Sequence, residues 1–156
     1  APIRGVALAM NEPVGTVGMI CPDENPLLGL ISLIAPAIAM GNTCVVVPSE
    51  PYPLAATDLY QVFETSDLPA GVVNLVTARH DEVIESLSGH MELDAIWYFG
   101  SSGLSSTVEK LSATNLKRSW VNHGKKRNWL DFKQGEGKDF LRQSTEVKNI
   151  WIPYGE

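Results

Sequence analysis

Cysteine is scarce. Only Cys21 and Cys44 occur in 156 residues, both inside strand-like apolar runs, which excludes a disulfide scaffold and leaves buried free thiols as the expectation. No apolar stretch is long enough to cross a bilayer, since "PLLGLISLIAPAIAM" is short and interrupted. No charged-then-apolar leader precedes the first strand. A cytoplasmic protein without membrane contact is therefore expected, and a chain that opens abruptly at a strand suits a piece of a longer protein. Basic residues are almost missing from residues 1–116, which hold three against thirteen acidic ones. Residues 117–156 reverse the balance with nine basic and five acidic side chains. The run "KRSWVNHGKKRNW" in that part could offer stacking groups to a nucleic acid, through Trp120 and Trp129. The net charge of −6 argues against nucleic acid and favours a solvated connector or a strip that docks on the acidic part.

What the chain does contain is alternation. Val14 to Cys21, Thr43 to Val47, Val72 to Val76, Ala95 to Phe99 and Lys117 to Val121 read as strands bounded by turn residues. Pro26 to Met40 reads as a helix stopped at Gly41-Asn42, with Asn25 as N-cap and Pro36 as an internal kink. Pro53 to Ser66, Asp81 to Ser88 and Leu104 to Leu111 supply further helices. Such β-α repetition predicts an α/β, three-layer parallel sheet, whose ligands sit beyond the carboxyl ends of the strands. Two strand ends stand out, Pro22 to Asn25 and "GSSG" from Gly100 to Gly103. The first already holds Asp23 and Glu24, so the helix end there is expected to be filled by the chain's own charge, with Asp23 placed to cap the helix amides. His80 and His90 read as surface imidazoles without metal-ligand spacing. From 122 to 144 the pattern collapses into a polar connector. A last strand, "STEVKNIW", has no hairpin partner and must pair on this sheet's edge or on another subunit.

These residues resemble the aldehyde dehydrogenases. The resemblance is carried by Glu12-Pro13-Val14-Gly15 with Val17-Gly18, then Pro22 and Pro26-Leu27, "APAIAMGNT", "PSE", "LPAGVVN", Gly100-Ser101 and "NLKR", in family order and spacing. It implies a Rossmann-like, NAD-binding-type domain over 1–122, a polar connector over 123–144 in place of the catalytic domain, and an oligomerisation-type strand over 145–156. It also exposes what is absent. The family's oxyanion-stabilising Asn falls on Glu24, its ribose-binding lysine on Val47, and its general-base glutamate on Asn122. Ionised Glu donates no hydrogen bond, and Asn has no useful proton affinity near neutral pH. No cysteine follows Cys44, so the nucleophile is missing and no catalytic residue is assigned. Glu50, Gly100 and Ser101 remain as vestiges of a cofactor site. No cofactor is expected, and NAD, if it binds, binds weakly. The resemblance therefore implies a non-catalytic module that pairs with a catalytic aldehyde dehydrogenase module of the same polypeptide or with another copy of itself, as a homo-oligomer. Val147, Ile150, Trp151 and Ile152 are the expected contacts, and a residual NAD(P)-dependent aldehyde-oxidising function is the alternative.

Overall fold

The computed structural model describes residues 4–154. Strand β1 (Gly5–Pro13) comes first and stands outside the main sheet. The β-branched runs then form five parallel strands, β2 (Thr16–Ile20), β3 (Thr43–Val47), β4 (Val73–Leu75), β5 (Ala95–Tyr98) and β6 (Arg118–Val121). Their order is β4-β3-β2-β5-β6. The chain winds outward from β2 in both directions, so the crevice between β2 and β5 is the switch point where such sheets hold ligands. The α/β parallel sheet expected from the alternation is present, in the Rossmann-like form that the resemblance implies.

Two apolar layers follow from the period-two pattern of the strands. On one face Val17, Met19, Cys44, Val46 and Trp97 pack under α1 (Pro26–Ala39). On the other, Ile20, Val47, Ile96 and Tyr98 meet α4 (His80–Gly89) and α5 (Ser105–Ser112) through Ile84, Leu87 and Val108. The helix expected over Pro53 to Ser66 is divided into α2 (Leu54–Thr57) and α3 (Leu59–Thr65). Near the break the Thr57 hydroxyl donates to the Leu54 carbonyl at 3.1 Å, the kind of local bond that competes with a helix ladder.

The segment after β6 is folded. It carries α6 (Phe132–Gly135), capped by Asp131, and α7 (Lys138–Ser144). Trp129 and Phe140 are almost fully buried and stack with Phe99 and Trp120, the Arg127 guanidinium lying 5.0–5.7 Å from all four rings. Three members of the basic run thus serve the fold. Arg127 caps this aromatic cluster, Lys117 donates to the Ser88 and His90 carbonyls at the end of α4, and Arg118 donates to the Thr145 carbonyl at 2.6 Å. Burial holds the Lys117 ammonium below its ordinary pKa.

The last strand, β7 (Thr145–Pro153), pairs antiparallel with β1, from Gly5 opposite Pro153 to Pro13 opposite Thr145. This corrects the expectation that it joins the edge of the main sheet or another subunit. Its partner lies at the other end of the same chain, a separation that local hairpin signals do not reveal. The result is a two-stranded ribbon fixed at its base. Asn42, buried beneath it, donates through Nδ2 to the Ala37 and Ser144 carbonyls (2.9 and 2.8 Å), and its Oδ1 accepts from the Gly15 N–H at 2.9 Å.

Candidate functional site

The crevice is built by the loops leaving β2, β5 and β6. They enclose a cavity of about 380 Å³ lined by Asp23, Glu24, Phe99, Gly100, Ser101, Ser102, Asn122, Gly124, Lys125 and Lys126. The expected sites at Pro22 to Asn25 and Gly100 to Gly103 therefore do converge. Neither behaves as a simple anion cradle.

At the β2 end, Asn25 occupies the N-cap position of α1 but is left-handed (φ 51°, ψ 58°), and its side chain makes no capping bond. Asn tolerates this conformation, and its own carbonyl closes the first turn by accepting from the Gly29 N–H at 2.7 Å. Asp23 does not cap α1 either, which corrects the expectation of a self-filled helix end. Its Oδ1 accepts from Ser49 Oγ (3.2 Å) and from the Glu50 N–H (2.9 Å), tying the β2 loop to the β3 loop. Glu24 stays exposed at the cavity.

At the β5 end, Tyr98 Oη donates to the Ser101 carbonyl at 2.7 Å. A Cβ on Gly100 would lie 2.7 Å from that same oxygen, so glycine is required by the close approach of Tyr98. At the β6 end, Asn122 and Lys125 close a turn on each other, the Asn122 amide donating to the Lys125 carbonyl and the Lys125 N–H returning to the Asn122 carbonyl at 3.1 Å. Gly124 (φ 65°) then lies against Ser102, where a Cβ would stand 2.9 Å from the Ser102 amide nitrogen. The loop carrying Lys125 and Lys126 thus folds down over the β5–α5 turn.

Glu50 is elsewhere. Its Oε2 accepts from the His80 N–H at 3.1 Å, at the start of α4, and it does not line the cavity that Gly100 and Ser101 share. His80 itself is buried, not a surface imidazole. Its Nε2 lies 3.0 Å from the Pro48 carbonyl, a bond the ring makes as donor. Sequence reasoning missed it because the partner is a backbone oxygen 32 residues away. Among the described residues no group of His, Cys, Asp or Glu could hold a metal, and no helix is long and apolar enough to cross a membrane. Cys21 and Cys44 are buried free thiols. Burial pushes Cys44 up to about 12 and Cys21 higher still, the latter helped by neighbouring Cys44 and Asp23. Thiolate chemistry at neutral pH is suppressed at both.

Residues 3–143 match the Aldehyde dehydrogenase family. The chain belongs to that family. It is 37% identical over 122 residues to the NADP/NAD-dependent aldehyde dehydrogenase PuuC of Escherichia coli, covering 78% of this chain and 25% of the relative. It is 38% identical over 153 residues to an aldehyde dehydrogenase of Agaricus bisporus, covering 97% and 29%. Among solved structures, betaine aldehyde dehydrogenase of Staphylococcus aureus in complex with NAD+ superposes with a TM-score of 0.71 at 33% identity, covering 76% and 24%. The chain thus spans about a quarter of the length of the relatives it matches.

Set against the dinucleotide that the fold family implies, the aldehyde dehydrogenase crevice of this chain offers groups of both signs. A pyrophosphate calls for cations and free amides. Here two carboxylates, Asp23 and Glu24, and two cations, Lys125 and Lys126, border the same cavity, Gly124 lies against the Ser102 amide, and Val47 is wholly buried.

Proposed function

We propose that this chain is a non-catalytic, aldehyde-dehydrogenase-like module of a larger protein, acting in assembly. The closer kinship proposed is with the carboxyl-terminal module of aldehyde dehydrogenase family 16 member A1. One observation carries the reading: the β1–β7 ribbon projects apolar side chains that nothing among the described residues covers. Val6, Leu8, Met10 and Ile152 are each between two-fifths and one-half exposed, and they share one face with Ile150. Val147 and Trp151 lie on the opposite face, Trp151 at 81% exposure. The four expected contact residues are therefore divided between two faces. An isolated two-stranded ribbon is marginal in water, so a ribbon of this length and composition suits a second body, either a catalytic aldehyde dehydrogenase module or another copy. Deleting Thr145 to Ile152 is expected to lower the mass measured by light scattering. An assembled wild type whose mass is unchanged by the deletion sinks the assembly role.

The second reading is a residual NAD(P)-binding portion of an aldehyde-oxidising enzyme, favoured by the likeness to relatives named for NAD. Its weight is limited by chemistry. A lost charge-assisted lysine contact costs about 1.5–3 kcal/mol, and a carboxylate near the pyrophosphate adds repulsion of roughly 1–3 kcal/mol. Together these weaken binding by about a hundred- to ten-thousand-fold. Titrating NAD by calorimetry is expected to give no saturation below the millimolar range. Micromolar saturation would restore the cofactor reading and reject the vestigial one.

A further inference from the structure

We infer that residues 122–128 form a strap latched shut over the crevice by Arg127, an autoinhibitory contact that keeps dinucleotide phosphates away from the β5–α5 turn. The inference rests on the weak-binding reading above and gives it a cause beyond Asp23 and Glu24.

The latch and the crevice share a wall. Phe99, which follows β5, lines the cavity and is also one of four rings around the Arg127 guanidinium, at 5.7 Å. Trp120 of β6 stands at 5.5 Å, Trp129 at 5.6 Å and Phe140 of α7 at 5.0 Å. All four lie within the ~6 Å at which a ring face attracts a cation. Aromatic cages of this kind hold organic cations in other settings, and here the chain supplies its own. Burial works against the Arg127 charge and lowers its pKa, while Asp139 on α7 supports it.

The strap has few other anchors. Its hydrogen bonds close on itself between Asn122 and Lys125 or run to Gln134. The Gln134 carbonyl accepts from Arg127 Nε, and Gln134 Oε1 accepts from the Asn128 N–H at 3.0 Å. His123 Nε2 lies 3.3 Å from Glu109 Oε1 on α5, with both side chains about half exposed. The backbone between these points is strained. His123 (φ 54°) and Gly124 (φ 65°) are successive left-handed residues, and His123 carries a side chain into a region that favours glycine. With a strained turn and one exposed tether, the strap depends on Arg127 to stay down.

What lies beneath it is the amide side of the turn into α5. Helix N-terminal amides are where phosphates bind. Closed, the strap sets the Gly124 backbone against the Ser102 amide nitrogen instead.

The test reads opening and binding separately, on the full chain. Trypsin cleaves after lysine, so cleavage at Lys125 and Lys126, followed by mass spectrometry, reports release of the strap. Arg127→Ala is expected to be cut there about five- to thirtyfold faster than wild type. Arg127→Lys falls between, because an ammonium lacks the planar fork that stacks on rings. In calorimetric titrations Arg127→Ala is expected to bind NAD about tenfold more tightly than wild type. The direction is diagnostic. Removing a cation beside a wall of the cavity weakens anion binding by electrostatics alone, so tightening requires the strap to move. Circular dichroism checks the fold. If Arg127→Ala does not fold, Arg127→Lys and His123→Asn carry the same comparison with smaller changes of the same sign; Asn tolerates the left-handed backbone but removes the imidazole that faces Glu109. Folded variants cut no faster than wild type overturn the latch. Variants cut faster that bind NAD no more tightly overturn the autoinhibition and leave Asp23 and Glu24 as the cause of weak binding. Failure of the weak-binding reading itself shows in the wild type, as micromolar saturation, and takes the inference with it.

Discussion

Asn42→Asp is expected to destabilise the protein by about 3–5 kcal/mol at neutral pH, within the range for an uncompensated buried charge. Asn42 is 1% exposed and joins three parts of the chain, donating to the Ala37 and Ser144 carbonyls and accepting from the Gly15 N–H. The carboxylate would keep the bond from Gly15 and lose both donors. It would also set a negative oxygen against two buried carbonyl oxygens, which can neither donate nor move. The effect carries a pH signature. Burial without a donor partner raises the folded-state pKa of the new carboxyl above the unfolded value of about 3.9. The folded state then holds the proton more tightly, so the charge penalty is absent below pH ~4, where one O–H still replaces two N–H donors, and it grows by about 1.4 kcal/mol per pH unit until the folded pKa is passed. Urea titrations at pH 4 and pH 7, compared with wild type, measure it. A pH-independent loss would show that cavity or strain, not charge, is responsible.

Phe140→Ala is expected to cost about 3–5 kcal/mol, a large part of a domain stability that is typically about 5–15 kcal/mol. Phe140 is 1% exposed, stands edge-on to Trp120 at 5.2 Å between centroids, and lies beneath the Arg127 guanidinium at 5.0 Å. Truncation opens a cavity under a charged group that is already partly desolvated. Were residues 122–144 the solvated connector that their composition suggests, the same substitution would cost under ~0.5 kcal/mol. Equilibrium unfolding followed by tryptophan emission separates these outcomes, because Trp120 and Trp129 line the same cluster.

That contrast marks where the sequence stops being legible. The five parallel strands and the helices between them could be read because each is a local run set off by turn residues from its neighbours. The placement of the crevice followed from the same alternation, since the switch point depends only on strand order. Trp129 and Phe140 were not legible as core because they are single aromatics in polar surroundings, and Phe99 and Trp120, which receive them, lie at the ends of other strands. Asp23 was legible as a carboxylate at a helix start but not in its direction. That depends on Asn25 adopting a left-handed turn and on Ser49 and Glu50 standing at the end of the neighbouring strand. Glu50 was legible as a resemblance to a ribose ligand, while its bond to the His80 N–H depends on where α4 begins. The β1–β7 pairing had no local signature at all.

The distance between those two strands along the chain bears on how the protein is made. Glu12 and Lys148, which meet in the ribbon, are 136 residues apart. At about 5–20 residues per second, β1 leaves the ribosome many seconds before its partner has been synthesised. Through that interval a largely apolar strand waits without the partner that covers one of its edges. Closure of so long a loop becomes favourable only once the core has brought residues 13–15 and 144 together. The ribbon is therefore expected to close after the core has formed.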